Sequence, residues 1–456
     1  MNFLKRLLIA TIFLPFLGYA LLESELEDVM KKCVDEGHTH GMVIGVIDEN
    51  GTRFYKYGNM GINDQRPVDQ NTLFETGSVT KIFTSLLLSK MVEDKEVRFD
   101  DPIEKFFPDE VTIPSYKGKK ITLLHLANHT AGYPYMPENF IMSDMFNPFY
   151  EYDVKFVHDL LSNYKLTYAP GTKYQYSNIS IAVLGYILSK VSNKHFEVLL
   201  QEKLLNALDM KDSKVILTDE DQLKFAKAHI RNREVPHWDI SDFYGAGGLH
   251  STPKDLARFI EAYLGFYKTD LYDLLQKSLE NRVPQDVPYL DVGSEWNITY
   301  QYTPEFMYHS GITGGHHVFV GFCPTTKKGI VLCSNSCALI ADIGKAYLNA
   351  NWYLKKNRQQ VQIVPMMLPK FMGEYKDVNG GSKCTISLES NGHLSFLLLK
   401  WGYFTKVSLN PSSEKDFFIK SKPCEINFIL NENDESIVEG MKVKYYDDHY
   451  EFKKIN

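Results

Sequence analysis

The chain has 456 residues, 44% hydrophobic and 23% charged, with 57 acidic against 50 basic residues and a formal charge of −7. That balance excludes a disordered, collagen-like or multi-span membrane chain, and the absence of a long basic run argues against nucleic acid as a partner. Six cysteines are too few for a disulfide scaffold at this length.

Met1–Ala20 has the make-up of a secretory signal peptide: Lys5 and Arg6, an apolar run from Leu7 to Phe16, then small residues at Gly18 and Ala20. The run is too short to cross a bilayer comfortably. We therefore expect cleavage, no stable membrane insertion afterwards, and a secreted or periplasmic location. In such a compartment disulfides persist. Cys384 and Cys424 share one C-terminal segment and form the preferred pair; Cys33, Cys323, Cys333 and Cys337 read equally well as buried thiols.

Glu23–Glu36 has helical spacing, with Leu26, Val29, Met30 and Cys33 on one face and Gly37 as its stop. Met42–Asp48 and Thr52–Tyr57 form a hairpin about Asn50-Gly51. Thr72–Thr76 is extended and ends at Gly77, after which Ser78–Glu93 is a helix apolar over so much of its circumference that it must be buried on several sides. From about 100 to 290 helices and long loops dominate. One helix opens at Ser251-Thr-Pro253-Lys-Asp255 with a hydroxyl cap and an early proline. Strands return at Val318–Cys323 and Gly329–Cys333, followed by a helix over Ile340–Leu354. Strands plus a helix at both ends, with helices between, predict an α/β (α+β) fold: one antiparallel sheet built from both ends, flanked by helices, with an inserted all-helical lobe. Gln360–Leu368 is a linker. Beyond it, short runs such as Thr385–Leu388 and Leu394–Leu399, turning at Ser390-Asn391-Gly392, then Phe404–Leu409 and Asn427–Leu430, predict a small β-barrel or sandwich.

Three short motifs carry chemistry. In Ser78-Val-Thr-Lys81 the spacing puts both residues on one helix face, where an amine can activate a hydroxyl that is otherwise a poor nucleophile. Ser-x-x-Lys also occurs at Ser162, Ser251 and Ser412; Ser251 reads as a helix cap, and only Ser78 lies where a strand and Gly77 feed a buried helix. Ser78 can itself be read as a cap. Tyr176-Ser-Asn178, in a loop after Pro170-Gly171, offers a phenol for proton transfer and an amide to orient a carbonyl. His309-Ser310-Gly311, ahead of Ile312-Thr-Gly-Gly315, offers a base for an anionic group or a proton relay, and a glycine that lets backbone approach a ligand.

Taken in order, these motifs resemble the three-motif signature of penicillin-recognising serine enzymes. The chain is similar to the class C β-lactamase and serine D-Ala-D-Ala carboxypeptidase family, which also holds esterases and D-aminopeptidases. Supporting segments are Phe74-Glu-Thr-Gly-Ser-Val-Thr-Lys81, Ile121-Thr-Leu-Leu-His-Leu-Ala-Asn-His-Thr-Ala-Gly-Tyr-Pro134 and Gly245-Ala-Gly-Gly-Leu-His-Ser-Thr-Pro-Lys-Asp-Leu-Ala257. The resemblance covers about residues 22–355 and implies a β-lactamase/transpeptidase-like fold. It implies Ser78 as acylated nucleophile, Lys81 as its helper, Tyr176 as general acid/base, and Asn178, His309, Ser310 and Gly311 as substrate-binding residues. Backbone N–H groups of Ser78 and Ile312 would form the oxyanion hole. His309 stands where many β-lactamases carry Lys, which weakens the expectation of efficient β-lactam hydrolysis. The Tyr133-Pro-Tyr135 loop is expected either to line an acyl pocket or to be a packed turn.

The expected division is a signal peptide over 1–20, a serine hydrolase domain over 21–357, a linker over 358–370 and a lipocalin-like β domain over 371–456. No cofactor is implied, and His38-Thr-His40 and His316-His317 lack the spacing of a zinc site. The expected partner is a small-molecule or peptide substrate of amide or ester type, with oligomeric state open. The alternative reading is a binding or assembly protein that keeps the fold without catalysis.

Overall fold

The computed structural model describes residues 21–349 apart from 138, 140–143, 145, 146, 231, 241–243, 281, 286–289, 301–303 and 337–339. Further on it describes 365–378, 383–388, 394–398, 407–419, 424–431, 433–445 and 448–455. Residues 1–20, Cys337, and most of the expected linker therefore lie outside the described residues.

Helix α1 (Glu23–Asp35) leads into strands β1 (Gly41–Asp48), β2 (Gly51–Gly61) and β3 (Asp64–Pro67). The hairpin turns one residue earlier than predicted. Asp48 sits opposite Gly51, so Glu49 and Asn50 form the corner, with the Asp48 carboxylate accepting the Asn50 N–H (2.8 Å), as Asp does in tight turns. After β4 (Phe74–Glu75) comes helix α2 (Thr80–Glu93). The inserted region then runs through helices α3 (Leu123–Ala127), α4 (Val154–Asn163), α5 (Asn178–Ser192), α6 (Phe196–Leu200) and α7 (Asp219–Lys224). It continues with strands β5 (Ala228–Ile230) and β6 (Arg233–Val235), helix α8 (Tyr244–Gly247), strand β7 (His250–Ser251), and helices α9 (Pro253–Leu264) and α10 (Tyr272–Lys277). In α9 the cap is Thr252, whose side chain accepts the Asp255 N–H, with Pro253 in the first turn. Ser251 is instead a strand residue bonded through its hydroxyl to Ser213 (2.7 Å).

Strands β8 (Arg282–Pro284), β9 (Leu290–Gly293), β10 (Trp296–Thr299), β11 (Phe306–Ile312), β12 (His317–Cys323) and β13 (Lys328–Ser334) complete a nine-stranded antiparallel sheet, ordered β3-β2-β1-β13-β12-β11-β10-β9-β8. The first strand of the chain thus pairs with the last of the sheet, Met42 opposite Ser334, and the helical insertion joins the two halves. Alternation along β1 explains why both its faces are apolar. Met42, Ile44 and Val46 pack with Leu26 and Met30 of α1 and with Ala346 and Leu348 of helix α11 (Ala341–Leu348). Val43 and Ile47 face the larger core with Phe259 and Ile260 of α9. Cys323 and Cys333 are buried free thiols in this sheet.

The C-terminal region forms a second nine-stranded antiparallel sheet from β14 (Gly373–Asp377), β15 (Lys383–Leu388), β16 (Leu394–Leu398), β17 (Val407–Ser408), β18 (Asn410–Pro411), β19 (Asp416–Ile419), β20 (Cys424–Leu430), β21 (Val438–Tyr445) and β22 (Asp448–Lys454). Its order runs from β17 at one edge to β18 at the other. Those two edge strands are separated in the chain by Leu409 alone, so the sheet's ends meet and it is barrel-like. Phe371, Tyr375, Phe417 and Phe428 fill its own core. The expected Cys384–Cys424 bridge is not formed: Cys384 is a free thiol on β15, and β14, β22 and β21 stand between its strand and β20.

A buried polar cluster locks strand β4 to the β11–β12 turn. The Glu75 carboxylate accepts from Trp238 N (2.5 Å), Thr313 Oγ1 (2.5 Å) and His316 Nδ1 (2.9 Å). The other His316 nitrogen faces the Ala226 carbonyl (3.1 Å), so both ring nitrogens meet acceptors. Burial alone would raise the Glu75 carboxyl, but the hydrogen bond and charge of His316, with His250 and Thr313, leave it below its ordinary 4.5. Breaking a buried pair strands the other charge. Glu75→Ala should therefore lower the unfolding free energy by about 3–5 kcal/mol in denaturant titrations. The wild type's advantage should be complete above pH 4.5 and fade as acidification protonates Glu75 in the folded chain.

Candidate active site

The site assembles at the start of α2. Gly77 takes a left-handed backbone (φ 51°) and turns the chain from β4 into the short 3-10 turn Gly77–Val79, which continues as α2. Helical spacing then stacks Lys81 beside Ser78: Nζ donates to Ser78 Oγ at 2.9 Å and to the Ala246 carbonyl at 2.5 Å. Lys81 is wholly buried, while Ser78 is half-exposed. Burial strips the amine of water and brings it down from 10.5 to about 7, against the opposing charge of Glu295. Two hydroxyls tie the segment carrying Ala246 to the helix: Thr84 Oγ1 donates to Gly245 O (2.7 Å) and Thr80 Oγ1 accepts from Leu249 N (3.1 Å).

The opposite wall is β11. The motif His309-Ser310-Gly311 lies within this strand rather than ahead of it. At Gly311 the strand presses bare backbone against the Ser78 turn: a Cβ there would stand 1.9 Å from Thr76 O and 2.8 Å from Ser78 N. A Cβ on Gly77 would in turn stand 2.9 Å from Ile312 N, so the backbone nitrogens of Ser78 and Ile312 share one contact. Strand alternation puts His309 on the same face as Gly311 and Ser310 on the other. His309 is 3% exposed. Burial, together with the charges of Lys81 and His129, drives its imidazole down to about 3, so it is neutral at physiological pH. The Ser310 hydroxyl accepts from His317 Nε2 (2.7 Å), whose Nδ1 takes the Ile340 N–H (3.3 Å); Ser310 therefore offers the cleft its backbone.

The third wall is the loop before α5. Ser177 caps that helix through the Ser180 N–H (3.1 Å) and gives its own N–H to His129 Nδ1 (3.1 Å). Helix α5 approaches the Ala246 segment closely because Gly185 and Gly245 meet without side chains. Half-buried Tyr176 lies beneath Lys81, Nζ 5.3 Å from its ring centre, with Tyr135 stacked at 5.8 Å and the His129 ring at 4.4 Å. Desolvation, with Tyr135 and Glu295 nearby, holds the phenol well above 10, a hydrogen bond with Ser78 pulling the other way. The Asn178 amide is held by Tyr135 O (3.2 Å) and Met136 Sδ (3.5 Å). Of the aromatic pair flanking Pro134, only Tyr135 is at the cleft; Tyr133 is completely buried and packs on Tyr164.

Ser78, Lys81, Tyr176, His309 and Gly311 thus converge from three segments distant in sequence. Sequence reasoning passed over two buried residues beside them, His129 and Glu295, which pair at 2.9 Å. His129 stands in the segment Ile121–Pro134, which marks the family and not a role; Glu295 carries no local sequence signal at all.

The family model described as Beta-lactamase matches residues 26–345. D-alanyl-D-alanine-carboxypeptidase/endopeptidase AmpH of Escherichia coli (strain K12) is 29% identical over 304 residues, 63% of this chain and 77% of that protein. A Beta-lactamase of the same organism is 26% identical over 343 residues, 66% of this chain and 85% of that protein. Among solved structures, the octameric penicillin-binding protein homologue from Pyrococcus abyssi superposes with a TM-score of 0.64 at 22% identity. It covers 94% of this chain and 99% of its own, so the likeness in fold extends into the C-terminal barrel. A class C β-lactamase from Rhodobacter sphaeroides gives 0.60 at 20% identity over 71% of this chain and 97% of its own.

Gly311→Ala tests the bare-backbone contact. The added methyl collides with backbone, which cannot swing aside, so β11 must retreat from the Ser78 turn. The melting temperature should fall, and covalent labelling of Ser78 by a fluorophosphonate should slow by about 10²-fold, the scale of a 1 Å misplacement.

Proposed function

The chain belongs to the β-lactamase family of serine hydrolases, and from that premise we propose that it is an exported enzyme cleaving an amide or ester through an acyl-enzyme on Ser78. The observation that carries the reading is a fully buried amine, brought to about 7, at 2.9 Å from a half-exposed hydroxyl. At neutral pH a large share of Lys81 is unprotonated and can accept the Ser78 proton as Oγ bonds to the substrate carbonyl carbon. Tyr176, a phenol throughout the physiological range, relays that proton to the leaving amine or alcohol. The backbone N–H groups of Ser78 and Ile312 receive the carbonyl oxygen as it becomes an oxyanion; one such donor is worth about 2.7–4 kcal/mol in related chemistry. Asn178 orients the substrate amide by giving up its weak sulfur contact, and His309 with the Ser310–Gly311 backbone lines the far side. Water then hydrolyses the acyl-enzyme by the same groups in reverse.

Neutral His309 offers no counter-charge to a substrate carboxylate. The reading therefore favours substrates without an anionic group beside the scissile bond. We place a signal peptide at 1–20, the hydrolase domain at 21–357, a linker at 358–370 and a lipocalin-like domain at 371–456; the separate apolar core of the C-terminal sheet supports the last boundary. Export would give a secreted or periplasmic enzyme acting on a small molecule or peptide.

Intact-mass analysis after a fluorophosphonate should show one adduct, lost in Ser78→Ala. No adduct on folded protein would overturn the enzyme reading in favour of a binding or assembly protein. In a panel of nitrocefin, D-Ala-D-Ala peptides and short-chain p-nitrophenyl esters, the esters should turn over fastest. His309→Lys should shift the balance of kcat/KM toward the two carboxylate-bearing substrates.

A further inference from the structure

The β9–β10 hairpin ends in a corner that turn chemistry does not select. Gly293 lies opposite Trp296, leaving Ser294 (φ 42°) and Glu295 (φ 72°) as corner residues, both left-handed. Such corners favour Asn-Gly or Asp-Gly, and a residue with a Cβ is strained in this backbone. Glu295 bears a second cost, because its carboxylate is 2% exposed. One oxygen takes the His129 hydrogen bond (2.9 Å); the other, Oε1, has no partner among the described residues. Strain and desolvation gathered on one residue beside a reactive group call for a functional account.

The surroundings supply one. His129 also has a left-handed backbone (φ 59°) and is completely buried. Its Nδ1 accepts the Ser177 N–H, so its proton is on Nε2 and points at Glu295. Through that ring Glu295 braces the loop carrying Tyr176. Its charge also acts directly on the groups that would handle the proton. It opposes the desolvation of Lys81 on α2, and it adds to the burial that keeps Tyr176 and Tyr174 as phenols. Among the described residues, Ser78 in the turn before α2 bonds to Lys81, and His309 on β11 feels both Lys81 and His129.

We propose that Glu295 is a positioning residue for the Ser78 reaction, its buried carboxylate orienting His129 and stabilising the positive charge that Lys81 gains on taking the Ser78 proton. The proposal rests on the reading of Ser78 and Lys81 as nucleophile and base. When the Ser78 O–H breaks and its oxygen bonds to the acyl carbon, the proton moves to Nζ, and a nearby anion stabilises the ammonium so formed. The same anion weakens as a partner once the proton has passed on to the leaving group, so its effect is concentrated on the first proton transfer.

The test measures the second-order rate of fluorophosphonate labelling against pH for the wild type and Glu295→Gln, with melting temperatures alongside. Gln keeps an oxygen for His129 Nε2 and removes only the charge. In the wild type the rate should rise through about pH 7 as Lys81 loses its proton. In Glu295→Gln the ammonium is less stable, so the midpoint should move to lower pH, by about one unit, while the plateau falls about threefold because the amine is a weaker base. An unshifted midpoint, or one moved upward, overturns the proposal whatever happens to the melting temperature. His129→Gln serves as the second variant: it disturbs the brace but leaves the anion, so it should slow labelling with a smaller change of midpoint. A midpoint shift equal to that of Glu295→Gln would also overturn the electrostatic role. Failure of the wild type to label at all would instead sink the reading on which the proposal stands.

Discussion

The arrangement depends on the contact of two bare stretches of backbone. Strand β11 reaches the Ser78 turn so closely that no side chain fits at Gly311, with Thr76 O 1.9 Å from where a Cβ would be, and scarcely any at Gly77. The candidate site is built around that contact. It places the backbone nitrogens of Ser78 and Ile312 at one seam and carries His309 into the electrostatic reach of Lys81. The Glu75–Thr313–His316 cluster holds the same two segments from behind, so the fold spends buried charge to keep the contact rigid.

Desolvation is the second theme. Lys81, His309 and Glu295 are all buried charges or potential charges, Lys81 feels Glu295 and His309 feels Lys81, and they do not share one sign. The protein resolves the crowding by leaving His309 neutral, bringing Lys81 to the edge of neutrality, and pairing Glu295 with His129. A cleft tuned in this way holds a proton that is easily moved, which an acyl-transfer site needs.

Much of this was legible in the sequence, and the reason is local. Ser78 and Lys81 are three residues apart in one turn of chain, and β1, β12 and β13 are continuous apolar runs bounded by turn residues, so helix, sheet and insertion could be read from local pattern. What escaped was set by tertiary contact. Whether Ser251 or Thr252 caps α9 depends on what Ser213 offers Ser251. That Tyr133 faces the core while Tyr135 faces the cleft depends on the path of a loop. The Cys384–Cys424 pairing looked natural along the chain, yet three strands separate the two in the barrel. Glu295 is hardest of all, since a Glu at a hairpin corner is unremarkable until its backbone angle and burial are known.

The pairing of β1 with β13 has a further consequence. Met42 cannot meet Ser334 until nearly the whole sheet-forming region has been synthesised, and contacts so distant in sequence are slow to form. The N-terminal hairpin must wait as an edge without its neighbour, and the buried helix α2 must wait for the walls that cover it. Such a chain stays loosely structured while it is still being made. That delay leaves apolar surface open to aggregation until the two ends of the sheet have met.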